Sequence, residues 1–143
     1  MDHDEALGRL RAARVGRIAT VRPDGSPHVV PFVFALLEDA DRLRLVWVVD
    51  RVKPKRSERV TRLENLERDP RVEVVVDAYD EDWSALWWVR ASGRGRVVTD
   101  AAERAAAIGG LRERYAPYAA LAGDETVVAI DVERLTGWAS GDP

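Results

Sequence analysis

Residues 16–35 read GRIATVRPDGSPHVVPFVFA, and this stretch decides the fold of the 143-residue chain. Two runs rich in apolar and β-branched residues flank Pro23-Asp24-Gly25, in which proline presets φ and glycine accepts a positive φ. The pattern predicts a β-hairpin. Its second strand, 28–35, is apolar on both faces, whereas an antiparallel strand usually presents one face to water. We therefore expect one face in the core and the other against a partner chain.

Pro31 lies within this second strand and cannot donate a ladder hydrogen bond, so it predicts a sheet edge or a bulge. Further strands are predicted where apolar runs alternate or persist, at 43–49, 71–77, 84–98 and 126–132. Six short antiparallel strands favour a small closed barrel. The expected fold is one mainly β domain over residues 1–143, a six-stranded antiparallel barrel with peripheral helices.

Three segments predict those helices. The first is 3–14, with a thin apolar stripe, and the second is 58–68, which ends at Asp69-Pro70. In the second helix we expect the inward residues to be Val60, Leu63 and Leu66. Asp100 and Glu103 have the spacing of a capping box and open the third helix, which Gly109-Gly110 should kink or end.

Composition excludes several classes of function. The net charge of −3, from 22 basic and 25 acidic residues, argues against a general nucleic-acid binder. The chain has no cysteine and two histidines, too few for a convincing zinc site, so we expect no metal. No apolar stretch is long enough to cross a bilayer and no signal-peptide pattern is present. We expect a cytoplasmic protein.

The stretch 50–57, DRVKPKRS, concentrates cations where a helix should begin, and it contains Lys53 and Lys55, the only lysines of the chain. Positive charge is unfavourable at a helix N-terminus, whose free N–H groups favour anions. A bound phosphate removes the conflict, and a compact ammonium is a good partner for phosphate. The alternative is a solvated basic turn.

Aromatic residues indicate a second feature. Trp87 and Trp88 are adjacent on a predicted strand and must face opposite sides. One can fill the core, and the other can meet a partner or a ligand. Arg90 shares a face with Trp88, and an aromatic plane beside an arginine suits a flat ring with polar edges. The alternative places these tryptophans in the core or at a dimer interface.

The catalytic inventory is sparse. His28 is the only plausible histidine base, and no serine stands in a Gly-x-Ser-x-Gly elbow. His28 and Tyr79 are weak candidates for a proton donor, and no catalytic residue is assigned. If the protein is an enzyme, a bound organic cofactor with a phosphate group carries the reaction.

An ordered set of segments resembles the pyridoxamine 5′-phosphate oxidase-like, FMN-binding split-barrel superfamily: RIATV at 17–21, DGSPHVVP at 24–31, KPKR at 53–56 and NLERDPRV at 65–72. Two more segments, DEDWS at 80–84 and LWWVR at 86–90, are similar to one branch, the oxidoreductases that use the deazaflavin F420. Gly137-Trp138 fits this branch as well.

The resemblance implies a homodimer of six-stranded split barrels with cofactor sites between the subunits. It places the phosphate-bearing tail at Lys53, Lys55 and Arg56, with Arg59 and Arg62 as neighbours on the helix. It places the ring at the backbone of Val30, Pro31 and Val48. Trp83 would reach the site from the other subunit.

Three functions remain open. The first is an F420-dependent reductase that transfers a hydride to an electron-poor small molecule, since the F420 tail is more anionic than that of FMN. The second is an FMN-dependent oxidase or flavin reductase of the same fold. The third is a protein that binds the cofactor without turnover, or a plain dimeric scaffold.

Overall fold

The structure is a computed structural model that describes residues 1–49 and 56–143, with the side chains of 56–60 outside the description. Its helices are α1 (His3–Ala12), α2 (Arg56–Arg68) and α3 (Ala101–Arg114), with short 3-10 turns at Trp83–Ala85 and Ala116–Ala120. Its strands are β1 (Gly16–Val21), β2 (Pro27–Phe32), β3 (Ala35–Asp39), β4 (Arg42–Val49), β5 (Arg71–Ala78), β6 (Trp87–Val97) and β7 (Thr126–Ala139).

The described strands form one antiparallel sheet in the order β2-β1-β5-β6-β7-β4-β3. The predicted hairpin is confirmed, because β1 pairs with β2 from Gly16 opposite Phe32 to Val21 opposite Pro27. Gly25 has a φ of 87°, the conformation for which the turn requires glycine. Strand β2 is the first in the sheet order, so the prediction of an edge strand at Pro31 is confirmed. The mainly β antiparallel fold with peripheral helices is confirmed too.

The sheet has seven strands rather than six in the described part of the chain, because the predicted strand 28–35 breaks. Val33 and Phe34 lie between β2 and β3, outside the ladders. The Tyr115 hydroxyl accepts a hydrogen bond from the Phe34 N–H at 3.2 Å and lies 2.9 Å from the Phe34 carbonyl oxygen. Buried backbone groups need partners, and this side chain supplies them where the ladder stops.

The sheet curls into a barrel around one apolar core. Phe32 of β2 and Trp47 of β4 stand at the first and sixth positions of the sheet order, yet their ring centroids are 5.8 Å apart with an interplanar angle of 89°. A single buried cluster draws its residues from strands β1, β2, β4, β5, β6 and β7. Burial of this apolar surface is the main force that closes the barrel.

A second core lies outside the barrel, where α3 covers β3, β4 and β7. Helix α3 runs through Gly109-Gly110 to Arg114, so the expectation that it ends there is wrong. A Cβ atom at Gly110 would stand 3.6 Å from the Cβ of Ala35, an ordinary van der Waals distance, so α3 lies close to β3 at this point. Packing of α3 against the sheet therefore offsets the low helix propensity of the glycine pair.

Two strand boundaries also differ from the prediction. Strand β6 begins at Trp87 rather than at residue 84, because Asp82 caps a 3-10 turn at Trp83–Ala85. Strand β7 continues past residue 132 to Ala139, and it contains Gly137-Trp138. Charged residues interrupt the apolar pattern in the second half of β7, so the sequence predicted only its first half as a strand.

Candidate cofactor site

The basic loop lies between β4, which ends at Val49, and α2, which begins at Arg56. The prediction that a helix follows this loop and stops before Asp69-Pro70 is confirmed. Lys53 and Lys55 lie outside the described residues, as do the side chains of Arg56 and Arg59. Their contact with a phosphate group stays a prediction.

Among the cations predicted near the phosphate, Arg62 has a described side chain, and it is buried, with 2% of its surface exposed. Its guanidinium carbon lies 5.4 Å from the ring centroid of Trp47 and 5.7 Å from that of Phe32. Its Nη1 atom lies 3.5 Å from the Pro31 carbonyl oxygen, at the outer limit of a hydrogen bond. The guanidinium therefore fills the gap between β2 and β4, which we call the seam.

The face of α2 that meets the barrel is largely polar. Asn65 is 2% exposed and its Nδ2 atom donates to the Thr20 hydroxyl at 3.0 Å. Arg68 donates to the side-chain oxygen of Asn65 at 3.2 Å and to the carbonyl oxygen of Val21. Hydrogen bonds thus fix this helix to the end of β1 in one register.

The predicted inward stripe of α2 is confirmed for the two of its residues whose side chains are described. Leu66 is buried and Leu63 is half-buried, whereas the side chain of Val60 lies outside the description. Sequence reasoning missed the burial of Arg62 and Asn65, because a hydrophobic pattern treats both as solvent-facing residues.

The residues predicted to meet the ring lie on both sides of the seam. Val30 points into the barrel core, Pro31 is exposed on the opposite face of β2, and Val48 is buried beneath α3. Pro31 and Val48 are the chain neighbours of Phe32 and Trp47, whose rings are in contact. The side chains of β2 and β4 therefore meet in the core beside these residues, and the contact of Val30, Pro31 and Val48 with a ring stays a prediction.

Trp88 and Arg90 come together on the outer face of β6, where the guanidinium carbon of Arg90 lies 5.2 Å from the Trp88 ring centroid. Trp87 faces the other way and packs on the barrel core, so the predicted division of the two tryptophans is confirmed. Register pairs Pro31 with Arg17, Arg17 with Val75, and Val75 with Arg90.

The pairing of these strands separates two halves of the predicted site. Three inter-strand steps of roughly 4.8 Å put Pro31 and Arg90 about 14 Å apart along one sheet face. The structure therefore does not bring Trp88 and Arg90 to the seam of their own chain.

Trp83 stands on the 3-10 turn after β5 and is 76% exposed. The turn itself is ordered by Asp82, which accepts hydrogen bonds from the Ser84 backbone N–H at 3.1 Å and from its hydroxyl at 2.5 Å. The same two hydrogen bonds lower the pKa of Asp82 below its ordinary value. An ordered turn thus presents an uncovered indole to the surroundings.

The two weak proton-donor candidates are far from equivalent. His28 is buried with 7% of its surface exposed, and it lies opposite Thr20 in the β1–β2 register, beneath α2. Tyr79 is 61% exposed near the acidic turn. Neither position places the group on the proline face of β2 near the seam.

A cleft of about 430 Å³ lies elsewhere, between α1, the β3–β4 hairpin and β7. Its walls carry charges of both signs, and none of the predicted site residues lines it. Among the described residues, no group of three or more acidic or histidine side chains has the arrangement of a metal site. Over the same ranges, no helix has the length and apolar character needed to span a bilayer.

The curled antiparallel sheet, the outer helices and the two-stranded seam define a small barrel protein of the split-barrel type. Residues 3–139 match the family described as Pyridoxamine 5'-phosphate oxidase. The chain belongs to this family. No curated protein matches the chain.

Solved structures show the same fold. A conserved hypothetical protein from Mycobacterium tuberculosis has a TM-score of 0.77 at 21% identity, over 99% of this chain and 86% of that one. A conserved protein of unknown function from Corynebacterium diphtheriae has a TM-score of 0.69 at 25% identity, over 96% of this chain and 93% of that one. An FAD-binding protein from Mesorhizobium loti has a TM-score of 0.66 at 25% identity, over 96% of this chain and 94% of that one.

Proposed function

We propose that this protein is an oxidoreductase that binds the deazaflavin F420 and reduces an electron-poor small molecule. The observation that carries the proposal is the position of the basic loop. It joins the strand on one side of the seam, β4, to the N-terminus of α2. A helix N-terminus with cations around it favours the anionic tail of such a cofactor.

The residues present fit a flavin-like ring as well as a phosphate. Strand β2 is an edge strand, and edge strands carry backbone N–H and C=O groups outside any ladder. Such groups beside Pro31, together with the backbone of β4 near Val48, can bond the polar edges of a flat ring. Lys53, Lys55, Arg56 and Arg59 would hold the tail. When bound, reduced deazaflavin would supply a hydride, and the protein would orient the ring.

FMN is the second candidate. The M. loti neighbour is an FAD-binding protein, and the family is that of pyridoxamine 5′-phosphate oxidase. We prefer F420 because the tail of F420 is more anionic and the stretch 50–57 contains two lysines and two arginines. A protein that binds either cofactor without turnover is distinguished by the absence of substrate-dependent oxidation of the reduced cofactor.

The protein is proposed to act as a homodimer. Val29 on the outer face of β2 is 59% exposed, and it stands opposite Ala19 of β1 in the register. Exposed Pro27 and Pro31 extend this apolar face along β2, whereas exposed Arg17 separates it from half-buried Val75. Exposed apolar patches of this kind mark interaction sites. A second copy would cover this patch, and it would bring its own Trp83, Trp88 and Arg90 toward the seam that they do not reach in one chain.

The dimer is tested by Val29→Asp, which places a charge in the proposed contact. We expect the variant to sediment as a monomer at micromolar concentration and to lose cofactor affinity in parallel. Arg94→Asp, also on the outer face of the sheet, is the matched control and should leave the sedimentation unchanged. A dimeric Val29→Asp protein with normal affinity would contradict the proposed interface.

The phosphate site is tested by the double variant Lys53→Ala, Lys55→Ala. Each lost charged contact should weaken binding by about 1–3 kcal/mol, so the affinity for F420 or FMN should fall by at least about tenfold. The double variant Arg94→Ala, Arg134→Ala removes the same charge from β6 and β7 and should leave affinity within about twofold. Equal affinities in the lysine variant and the wild type would show that the anion lies elsewhere.

A further inference from the structure

Arg62 links three parts of the fold, its own helix α2 and the strands β2 and β4, that no ladder hydrogen bond joins. It belongs to α2, it approaches the carbonyl oxygen of Pro31 on β2, and it lies over the rings of Phe32 on β2 and Trp47 on β4. Among the described pairings, β2 and β4 share no ladder. The guanidinium group is therefore a direct link across the seam and between the seam and α2.

The chemistry of the contact is specific to arginine. A planar guanidinium can stack on aromatic faces and still donate in its own plane, whereas a lysine ammonium is a compact, strongly hydrated point charge. The cation–π contribution is larger when the group is desolvated, as it is at 2% exposure. Neither lysine nor an apolar side chain reproduces both contacts.

The described contacts of Arg62 lie in the seam and not at the first turn of α2. Arg62 lies six residues beyond Arg56, the first residue of α2, which at 1.5 Å per residue is about 9 Å along the helix axis. Its side chain is also buried, away from solvent. A contact of Arg62 with phosphate stays a prediction, and its described contacts support a role that acts through the helix.

We infer that Arg62 is a positioning residue that fixes the spacing between the β2 edge, proposed to meet the ring, and the start of α2, proposed to meet the phosphate. This inference rests on the proposed function. A rigid spacing lets ring and phosphate bind together, so the phosphate adds its full share to the affinity. If the helix is free to shift, the phosphate contributes less to the affinity, while the contacts of the ring remain.

The test compares a phosphate-bearing ligand with its phosphate-free counterpart in variants of Arg62. The pairs are FMN with riboflavin, and F420 with its deazaflavin chromophore that lacks the phosphodiester tail. We expect Arg62→Met to reduce the affinity ratio of each bound pair by about tenfold or more, since small misplacements of bound groups are costly. Arg62→Lys should not restore the ratio, because the planar contacts stay lost.

Glu67→Gln is the matched control, since it removes one charge from an exposed position of the same helix. The affinity ratio of this control should stay within about twofold of the wild-type ratio. A normal ratio in a folded Arg62→Met protein, or full rescue by Arg62→Lys, would overturn the positioning role. The second result would assign the effect to charge alone.

A measurement without cofactor separates this inference from the proposed function. If the wild type binds none of the four ligands, the proposed function fails, and hydrogen exchange of the free protein decides whether Arg62 ties the helix to the seam. Arg62→Met should speed the exchange of backbone amides in α2 and at 45–49 relative to those of β5 and β6. Unchanged protection in α2 would overturn the link.

Discussion

Glu103 is expected to make the stability of the protein strongly dependent on acid pH. Its carboxylate accepts hydrogen bonds from Arg96 through Nη1 and Nη2, both at 2.8 Å, and from Arg44 Nη1 at 2.5 Å. The hydrogen bonds from Arg96 lower the pKa of Glu103 most, burial opposes them and Arg44 lowers it further, so that the pKa falls from 4.5 to about 2. The side chain is only 10% exposed, so water screens these contacts little.

The size and sign of the effect follow from that shift. A pKa that is lower in the folded state stabilises the fold above the unfolded pKa of 4.5, and the stabilisation is lost as pH falls toward about 2. The fall of the Glu103 pKa from 4.5 to about 2 corresponds to at most about 3 kcal/mol of stabilisation at neutral pH. Arg44, whose side chain is 8% exposed, would keep Asp39 as a partner after loss of Glu103.

The assay is urea unfolding of the wild type and Glu103→Gln at steps from pH 7 to pH 3. We expect the variant to be less stable by about 2–3 kcal/mol at pH 7, with a difference that shrinks below pH 4.5. Glu113→Gln, an exposed change on the same helix, should have no such effect. A Glu103→Gln difference that is constant with pH, or smaller than about 0.5 kcal/mol, would refute the reasoning.

Two other predictions concern backbone that the sequence left unexplained. Tyr115→Phe removes the hydroxyl that meets both backbone groups of Phe34, and chemical denaturation should show a loss of about 1–3 kcal/mol; no loss would mean that water replaces it. Gly93→Ala would place a Cβ atom 2.2 Å from the Asp131 carbonyl oxygen and should cost at least about 2 kcal/mol. Gly8→Ala in α1 meets nothing within 4 Å and should be neutral or stabilising by about 0.5–1 kcal/mol; equal effects at both glycines would contradict the packing.

Local chemistry made the hairpin predictable, because Pro23-Asp24-Gly25 specifies its own turn and the flanking runs specify strands. The same holds for the end of α2 at Asp69-Pro70. The break between β2 and β3 could not be predicted, since the partner of the Phe34 backbone is Tyr115, 81 residues further along the chain. A contact between residues so far apart in the chain produces no periodic pattern in the sequence.

The site divides in the same way. That Trp87 and Trp88 lie on opposite faces follows from the two-residue period of a strand, so it was predictable. Burial of Arg62 was not, because its stabilisation comes from Phe32 and Trp47, which only the curled sheet brings together. The contacts of Lys53 and Lys55 remain predictions from charge and position.

The most direct test of the account is a titration of the purified protein with F420 and with FMN, followed by the change in cofactor absorbance or fluorescence. We predict saturable binding of F420 that is tighter than that of FMN, weakens with added salt and is lost in the lysine double variant. Tight binding of FMN with no binding of F420 would contradict the choice of cofactor. Binding of neither would contradict the proposed function itself.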